Sequence, residues 1–96
     1  CTLHDIWRWC SLNTTTLFNI ENKGQLMPGF DADLVMIDLD QHYKIDNAKQ
    51  FTKSKWSAFD GIEVVGKPLI TIVNGQIVYR EGDIFTDVKG KEVNFI

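Results

Sequence analysis

Residues 23–38 decide the fold, and their sequence is Lys23-Gly24-Gln25-Leu26-Met27-Pro28-Gly29-Phe30-Asp31-Ala32-Asp33-Leu34-Val35-Met36-Ile37-Asp38. Pro28-Gly29 is typical of the centre of a type II turn, because proline presets φ at the first central position and glycine accepts a positive φ at the second. The unbroken apolar run 34–37 predicts a strand that is buried on both faces. Residues 25–27 predict a shorter strand before the turn.

The residues after this stretch predict a mostly antiparallel sheet. The strand candidates are residues 62–65, which end at Gly66, residues 69–73, residues 76–79 and an edge strand at residues 93–96. Asn74-Gly75 separates two of these β-rich runs, which predicts a β-hairpin with a type I′ turn. Residues 81–83 predict a further turn.

The residues before the stretch have a helical period. The apolar side chains with i, i+3, i+4, i+7 spacing are Leu3, Ile6, Trp7 and Cys10. This stripe predicts an amphipathic helix over residues 2–12, and Thr2 with Asp5 resembles a capping box. Asn13 is predicted to be the N-cap of a second short helix at residues 14–19.

Together these patterns predict an α+β chain of two short helices followed by a small, mostly antiparallel sheet. Residues 40–60 are polar and irregular, and a loop of this length is usually functional or packed onto a neighbour. Its aromatic side chains, Phe51, Trp56 and Phe59, are predicted anchors. A chain this short buries only about 60–65% of its surface, whereas the apolar strand and three tryptophans need cover. We therefore expect part of the covering surface to lie outside this chain.

Composition and charge exclude several classes of function. The chain has 96 residues, 44% of them hydrophobic, and its 10 basic and 13 acidic residues give a net charge of −3. A mildly acidic globular chain is not expected to bind nucleic acid. No apolar run approaches the roughly 18 residues of a membrane span, and no signal peptide begins the chain. The first residue is Cys rather than Met, so we expect a piece of a longer protein.

The cysteines and histidines offer little chemistry. On one helix, Cys1 and Cys10 are about 13 Å apart, too far for a disulfide, so free thiols and a cytoplasmic location are expected. These cysteines and His4 are three candidate zinc ligands, but their spacing is unlike that of paired zinc knuckles. A buried Cys10 thiol and a surface His4 are the simpler interpretation. His42 is the only other histidine.

Two charged groups have both a structural and a functional interpretation. Asp31 and Asp33 have the i, i+2 spacing with which two carboxylates bind a cation or share a proton, although aspartates more often cap turns. Lys49, Lys53 and Lys55 alternate with aromatic residues, as on a nucleic-acid surface, but flanking acidic residues favour a solvated loop with buried aromatics. No Gly-x-Ser-x-Gly elbow or glycine-rich phosphate loop is present. The residues therefore predict no catalytic site.

Residues 23–38 nevertheless resemble a hallmark of the amidohydrolase superfamily. In that superfamily the chain leaves the last helix of a barrel, takes a Pro-Gly turn and enters a β-sandwich through Asp-Ala-Asp-Leu-Val. Residues 54–61 and 66–75 resemble the cyclic amidohydrolases, dihydroorotases first, with allantoinases and dihydropyrimidinases or hydantoinases as alternatives. The resemblance covers about residues 7–82. It departs from the family pattern at residues 14–16, at Asn19, where glycine is common, and at Ala58, where proline is common.

The resemblance implies a metal-dependent enzyme in which this segment is structural. A dihydroorotase interconverts N-carbamoyl-aspartate and dihydroorotate in pyrimidine biosynthesis. Its (β/α)8 barrel holds one or two zinc ions, and its active site lies at the carboxyl ends of the barrel strands. These strands are expected upstream of Cys1, so no catalytic, cofactor-binding or metal-binding residue is assigned to residues 1–96.

The resemblance also implies a division of the chain and a set of partners. Residues 1–22 are expected to be the terminal helices of the barrel domain, and residues 23–96 the C-terminal part of a composite β-sandwich. The expected partners are the barrel and the N-terminal sandwich strands of the same protein, with a second subunit as a further possibility. The alternative from another class is a free-standing, non-catalytic β interaction module.

Overall fold

A computed structural model describes all residues, 1–96. One continuous helical segment comes first: α1 (Leu3–Trp7), a π-helical turn (Arg8–Leu12) and α2 (Asn13–Leu17). The capping box is confirmed, because the Thr2 hydroxyl accepts from the Asp5 backbone N–H and the Asp5 carboxylate accepts from the Thr2 N–H. The helix therefore begins where the sequence indicates.

The prediction of two separate helices with Asn13 as an N-cap is wrong. Asn13 has helical dihedral angles, and its backbone N–H donates to the Arg8 carbonyl oxygen. A π-helical turn absorbs one extra residue at this point without breaking the segment. The helix ends near Leu17, and Asn19 then has φ +53°. Asparagine tolerates this left-handed conformation, which explains how it occupies a position where glycine is common in the family.

The loop between helix and sheet contains the predicted turn but not the predicted strand. Phe30 N–H donates to the Met27 carbonyl oxygen at 3.1 Å, and Gly29 has φ +90°, as a type II turn requires. Residues 25–27 form no strand. Their apolar side chains belong to an irregular segment, because no neighbouring strand lies there to pair with them.

The sheet has four strands, all antiparallel, in the order β1-β2-β3-β4. Their bounds are β1 Leu34–Lys44, β2 Glu63–Val73, β3 Gln76–Arg80 and β4 Asp83–Ile84. The α+β class and the mostly antiparallel sheet are confirmed. The two strands predicted on either side of Gly66 are one strand, β2.

The strands run through residues that usually interrupt them. Gly66 has φ +99° and lies at an irregularity where residues 39–41 of β1 bulge out between Asp38 and His42. Pro68 pairs with Ile37 of β1 and lies before the part of β2 that pairs with β3. The missing proline N–H therefore costs no hydrogen bond to β3. The prediction that residues 40–60 are irregular is wrong for its first part, because β1 continues to Lys44.

The hairpin prediction is confirmed. Asn74 and Gly75 have φ +50° and +77°, the two positive values of a type I′ turn. At the C-terminus the predicted edge strand is reduced to one isolated antiparallel bridge between Ile20 and Phe95. The flanking hydrogen bonds, Glu21 N–H to Asn94 O and Ile96 N–H to Asn19 O, are both 2.8 Å long. The C-terminal segment thus returns to the end of the helix.

No residue of the chain is buried. The predicted two-faced burial of residues 34–37 is therefore wrong within these 96 residues, since Val35 and Met36 are 52% and 58% exposed. The predicted buried thiol is also exposed at Cys10. No helix of the structure combines the length and the apolar character that a membrane crossing needs.

The loop between β1 and β2 has a defined conformation but does not bury its aromatic residues. Asp60 Oδ1 accepts from the Asn47 N–H, and Asn47 Oδ1 accepts from the Ser57 N–H, both at 2.8 Å. A short 3-10 turn occupies Asn47–Lys49. The three predicted anchors, Phe51, Trp56 and Phe59, are 61–66% exposed. The interpretation of a solvated loop with buried aromatics is therefore wrong on the second point.

Candidate functional site

Three charged side chains meet where the helical segment, the Pro-Gly loop and the sheet come together. The Lys23 Nζ lies 3.0 Å from Asp31 Oδ2 and 2.6 Å from Asp33 Oδ2. We call this group the Lys23 cluster. The two aspartates do bind a cation, as their spacing allows, and that cation is the ammonium group of their own chain. This ion pairing favours the structural interpretation of the two carboxylates.

The Lys23 cluster shifts the protonation of its members. The hydrogen bond to Asp33 raises the pKa of the Lys23 ammonium above its usual value; partial burial opposes this effect, and Asp31 reinforces it. Partial burial works against ionisation of Asp33, but the backbone N–H of Asn74 and the Lys23 ammonium outweigh it, so the pKa of Asp33 is lowered. Both groups therefore remain charged near neutral pH.

The Lys23 cluster also holds the tip of the β2–β3 hairpin. Asp33 Oδ1 accepts from the Asn74 backbone N–H at 2.9 Å, and Ala32 O accepts from the Gly75 N–H at 3.0 Å. Asp33 is thus shared between a cation from the end of the helical part and a backbone amide from the hairpin. The Asp33 carboxylate thus binds a backbone amide that lies 41 residues further along the sequence.

A second contact links the helix to the same loop. The Trp7 Nε1–H donates to the Gly24 carbonyl oxygen at 2.7 Å. Gly24 has φ +91°, and a Cβ placed there would lie 2.5 Å from Thr15 Oγ1 and 3.1 Å from the Ser11 carbonyl oxygen. Only glycine fits both the backbone conformation and the close approach to the helix.

A polar cavity of about 400 Å³ lies beside the Lys23 cluster. The C-terminal segment forms one wall through Lys91, Glu92, Val93 and Asn94, and the hairpin tip forms another. Lys91 makes no ion pair, whereas Lys23 makes two. Its lining is mostly polar, and only three of its twelve residues are hydrophobic.

The other candidate residues are not brought together. No group of three or more His, Cys, Asp or Glu side chains is placed to hold a metal ion. Cys1, His4 and Cys10 are therefore not brought together as metal ligands. His42 Nδ1 lies 3.3 Å from Glu63 Oε1 on the exposed surface of the sheet. In the lysine-containing loop, Lys55 Nζ donates to the Gln50 carbonyl oxygen at 2.7 Å, a contact that holds the loop.

Sequence reasoning found the aspartates but missed their partners. The sequence presents Lys23 only as part of a motif and Asn74 only as a turn residue. The usable signal was a lysine eight positions before an Asp-x-Asp pair at the start of a strand. Nothing in the sequence identified Asn74, because its contact with Asp33 depends on how β1 and β2 pair.

Comparison with known proteins identifies the family. The family model described as "Amidohydrolase family" matches residues 1–78. The chain is 42% identical over 84 residues to an allantoinase of Saccharomyces cerevisiae, covering 86% of this chain and 18% of that protein. It is 33% identical over 84 residues to a dihydroorotase of Methanosphaera stadtmanae, covering 88% of this chain and 20% of that one.

A solved structure has the same fold. The L-hydantoinase (dihydropyrimidinase) from Arthrobacter aurescens superimposes with a TM-score of 0.84 and 34% sequence identity, over 88% of this chain and 19% of that one. The chain therefore spans about a fifth of the length of the relatives it matches. The family match over most of the chain and the agreement in fold lead to one conclusion: the chain belongs to the amidohydrolase family.

Proposed function

We propose that this chain is the C-terminal part of a zinc-dependent cyclic amidohydrolase and that its own role is structural. Residues 1–22 would be the terminal helices of the barrel domain, and residues 23–96 the C-terminal part of a composite β-sandwich. The named relatives, a dihydroorotase, an allantoinase and an L-hydantoinase, support the reaction class, which is hydrolysis of a cyclic amide.

The observation that carries this proposal is the lack of burial. The accessible surface is 7708 Å², whereas a compact monomer of this mass exposes only about 5,600 Å². The excess of roughly 2,100 Å² is of the size that an obligate interface covers. A four-stranded sheet with no buried side chain is best explained as one layer of a larger body.

The exposed apolar residues lie where such a body would pack. Leu17 at the end of the helical segment and Leu26 in the following loop are 74% and 80% exposed. In β1, an edge strand of the sheet, Val35 and Met36 lie on opposite faces and are both exposed. The barrel and further sandwich strands of the same protein are therefore the proposed partners, and a second subunit is the further candidate.

Residues 1–96 do not provide a binding site for the zinc ions of the proposed enzyme. No set of three potential ligands converges in this chain, and the two aspartates of the Lys23 cluster are occupied by an ammonium group. The metal ligands and the catalytic groups are thus proposed to lie in other parts of the protein. The contribution of this chain is to hold the junction between helix and sheet in place.

Dihydroorotate is the first substrate we propose, because residues 54–61 and 66–75 resemble the cyclic amidohydrolases, with the dihydroorotases as first choice among them. Allantoin is the second, since the allantoinase from yeast is 42% identical to this chain. The two substrates are tested side by side, because the loops that distinguish cyclic amides follow the strands of the barrel.

The first test is the coding sequence in frame with Cys1. We expect an open frame of about 250 residues or more before it, enough for a barrel domain. The encoded protein should bind zinc and hydrolyse dihydroorotate or allantoin, and residues 1–96 alone should do neither. A genuine start codon just before Cys1, with cooperative unfolding of the isolated chain and no dye-binding surface, would instead establish a free-standing interaction module.

A further inference from the structure

Asn74-Gly75 is the only Asn-Gly pair in the sequence. In a flexible chain this pair is chemically unstable, because glycine has no side chain to hinder attack by its backbone nitrogen on the preceding amide. The Gly75 nitrogen loses its proton and bonds to the Asn74 side-chain carbon, and the bond to the amide nitrogen breaks, releasing ammonia. Water then opens the succinimide ring to aspartate or isoaspartate. The net change is addition of water and loss of ammonia.

The structure holds this pair in a state that opposes the reaction. The Gly75 N–H, whose nitrogen must act as the nucleophile, donates to the Ala32 carbonyl oxygen at 3.0 Å. The Asn74 N–H donates to Asp33 Oδ1 at 2.9 Å, so both amides of the turn are tied to the start of β1. Asp33 is in turn held by Lys23 at 2.6 Å. The hydrogen bond of this nitrogen must open before the nitrogen is deprotonated and attacks, as in amide hydrogen exchange.

We propose that Asn74 is a gated deamidation site, closed while the hairpin tip is docked on Ala32 and the Lys23 cluster and open when the tip is released. The gate needs no unfolding of the sheet, because the tip is a two-residue turn beyond the last β2–β3 pair, Val73–Gln76. Local opening of such a turn is far less costly than global unfolding. Gly75 is solvent-exposed and Asn74 half-buried, so water reaches the pair once the tip moves.

The modification would prevent the tip from docking again. Aspartate at position 74 adds a negative charge to the residue whose backbone N–H binds the Asp33 carboxylate, and like charges in the same site repel. Isoaspartate lengthens the backbone by one carbon in a two-residue turn, where the turn determines the register of the strands. Either product leaves the Lys23 cluster without its hairpin partner.

The test compares deamidation at Asn74 in the chain with that in a synthetic peptide of residues 70–79, near neutral pH and body temperature. The readouts are the mass increase at Asn74, isoaspartate content, and hydrogen exchange of the Gly75 amide. We expect deamidation in the chain to be at least about tenfold slower than in the peptide, with Gly75 protected to a similar degree. Equal rates in chain and peptide would overturn the proposal, as would an unprotected Gly75 amide.

The gate itself is tested with Lys23→Gln and, as a matched control, Lys91→Gln. Both lysines line the same cavity, but only Lys23 pairs with Asp33. Lys23→Gln should raise the rate several-fold and Lys91→Gln should not. Low urea concentrations test the gate without a variant, because urea favours opening of the hairpin tip. The deamidation rate at Asn74 should then rise in proportion to the hydrogen-exchange rate of the Gly75 amide. A rate that does not follow Gly75 exchange would show that docking does not control the reaction.

Discussion

Lys23 lies after the helical segment, and its ammonium group contacts two carboxylates from the loop before β1. Its side chain is 20% exposed, and those of Asp31 and Asp33 are 43% and 34% exposed. Solvent at the carboxylates screens the attraction, so the ion pairs contribute modestly to stability. Asp33 matters more than Asp31 because it also accepts the Asn74 N–H. Its removal would leave the Asn74 N–H without this acceptor and the Lys23 ammonium with Asp31 alone.

Replacing Asp33 with alanine should therefore lower the free energy of unfolding by about 1 kcal/mol, and Asp31→Ala should lower it by less. The pKa of Asp33 is lowered from 3.8, so its contribution is present above that pH and is lost as pH falls through the lower folded value. The pKa of Lys23 is raised from 10.5, so its contribution disappears as pH rises beyond that value. Urea unfolding across pH measures both limits. An equal effect of the two alanine variants would contradict this ranking.

At the scale of elements, the helical segment is attached to the sheet through the loop that contains Gly24. The loop approaches the helix so closely that a Cβ at Gly24 would meet Thr15 Oγ1 at 2.5 Å. The Trp7 side chain fixes the same residue from the other side by its hydrogen bond to the Gly24 carbonyl oxygen. The attachment therefore depends on one glycine more than on apolar packing, since no helical residue is buried.

Gly24→Ala and Gly29→Ala make a matched pair for this junction. Both glycines have φ near +90°, but an added Cβ meets no atom within 4 Å at Gly29. Gly29→Ala should cost about 1 kcal/mol from backbone strain alone, and Gly24→Ala should cost roughly 1–3 kcal/mol more because of the overlap. The measurement is the difference in unfolding midpoint. If both variants lose the same stability, the close approach to the helix is not a constraint.

At the scale of the whole molecule, the chain has an ordered backbone and an uncovered surface. Its radius of gyration is 15.1 Å, somewhat above the roughly 12–13 Å expected of a compact chain of this length. The exposed aromatic residues of the β1–β2 loop, Phe51, Trp56 and Phe59, form one part of this surface. Exposed apolar surface on this scale marks a site of interaction or of aggregation.

The isolated chain should accordingly bind a hydrophobic dye and associate as its concentration rises. Replacing Phe51, Trp56 and Phe59 together with serine should reduce both effects, because it removes apolar area that no other part of the chain covers. Lys49→Ser with Lys53→Ser is the control in the same loop, since it changes charge but little apolar area. Dye fluorescence and sedimentation velocity report the result. A monomeric chain that binds no dye would contradict the prediction.

The sequence by itself determined the features that depend on neighbouring residues. The capping box at Thr2, the type II turn at Pro28-Gly29, the strand that begins at Leu34 and the type I′ hairpin at Asn74-Gly75 all follow from local backbone preferences. The family was also predictable, because its motif lies within one continuous stretch of the chain.

Only the tertiary structure decided the features that depend on contacts between distant residues. β2 runs through Gly66 and Pro68 because β1 pairs with it on one side, and this pairing outweighs the local tendency of both residues to end a strand. A π-helical turn joins the two predicted helices, because the Asn13 N–H donates to the Arg8 carbonyl oxygen and so continues the hydrogen bonding of the segment. Asp31 and Asp33 form an ion cluster because folding brings Lys23 and Asn74 to them. The spacing of the two aspartates in the sequence does not predict which distant residues they contact.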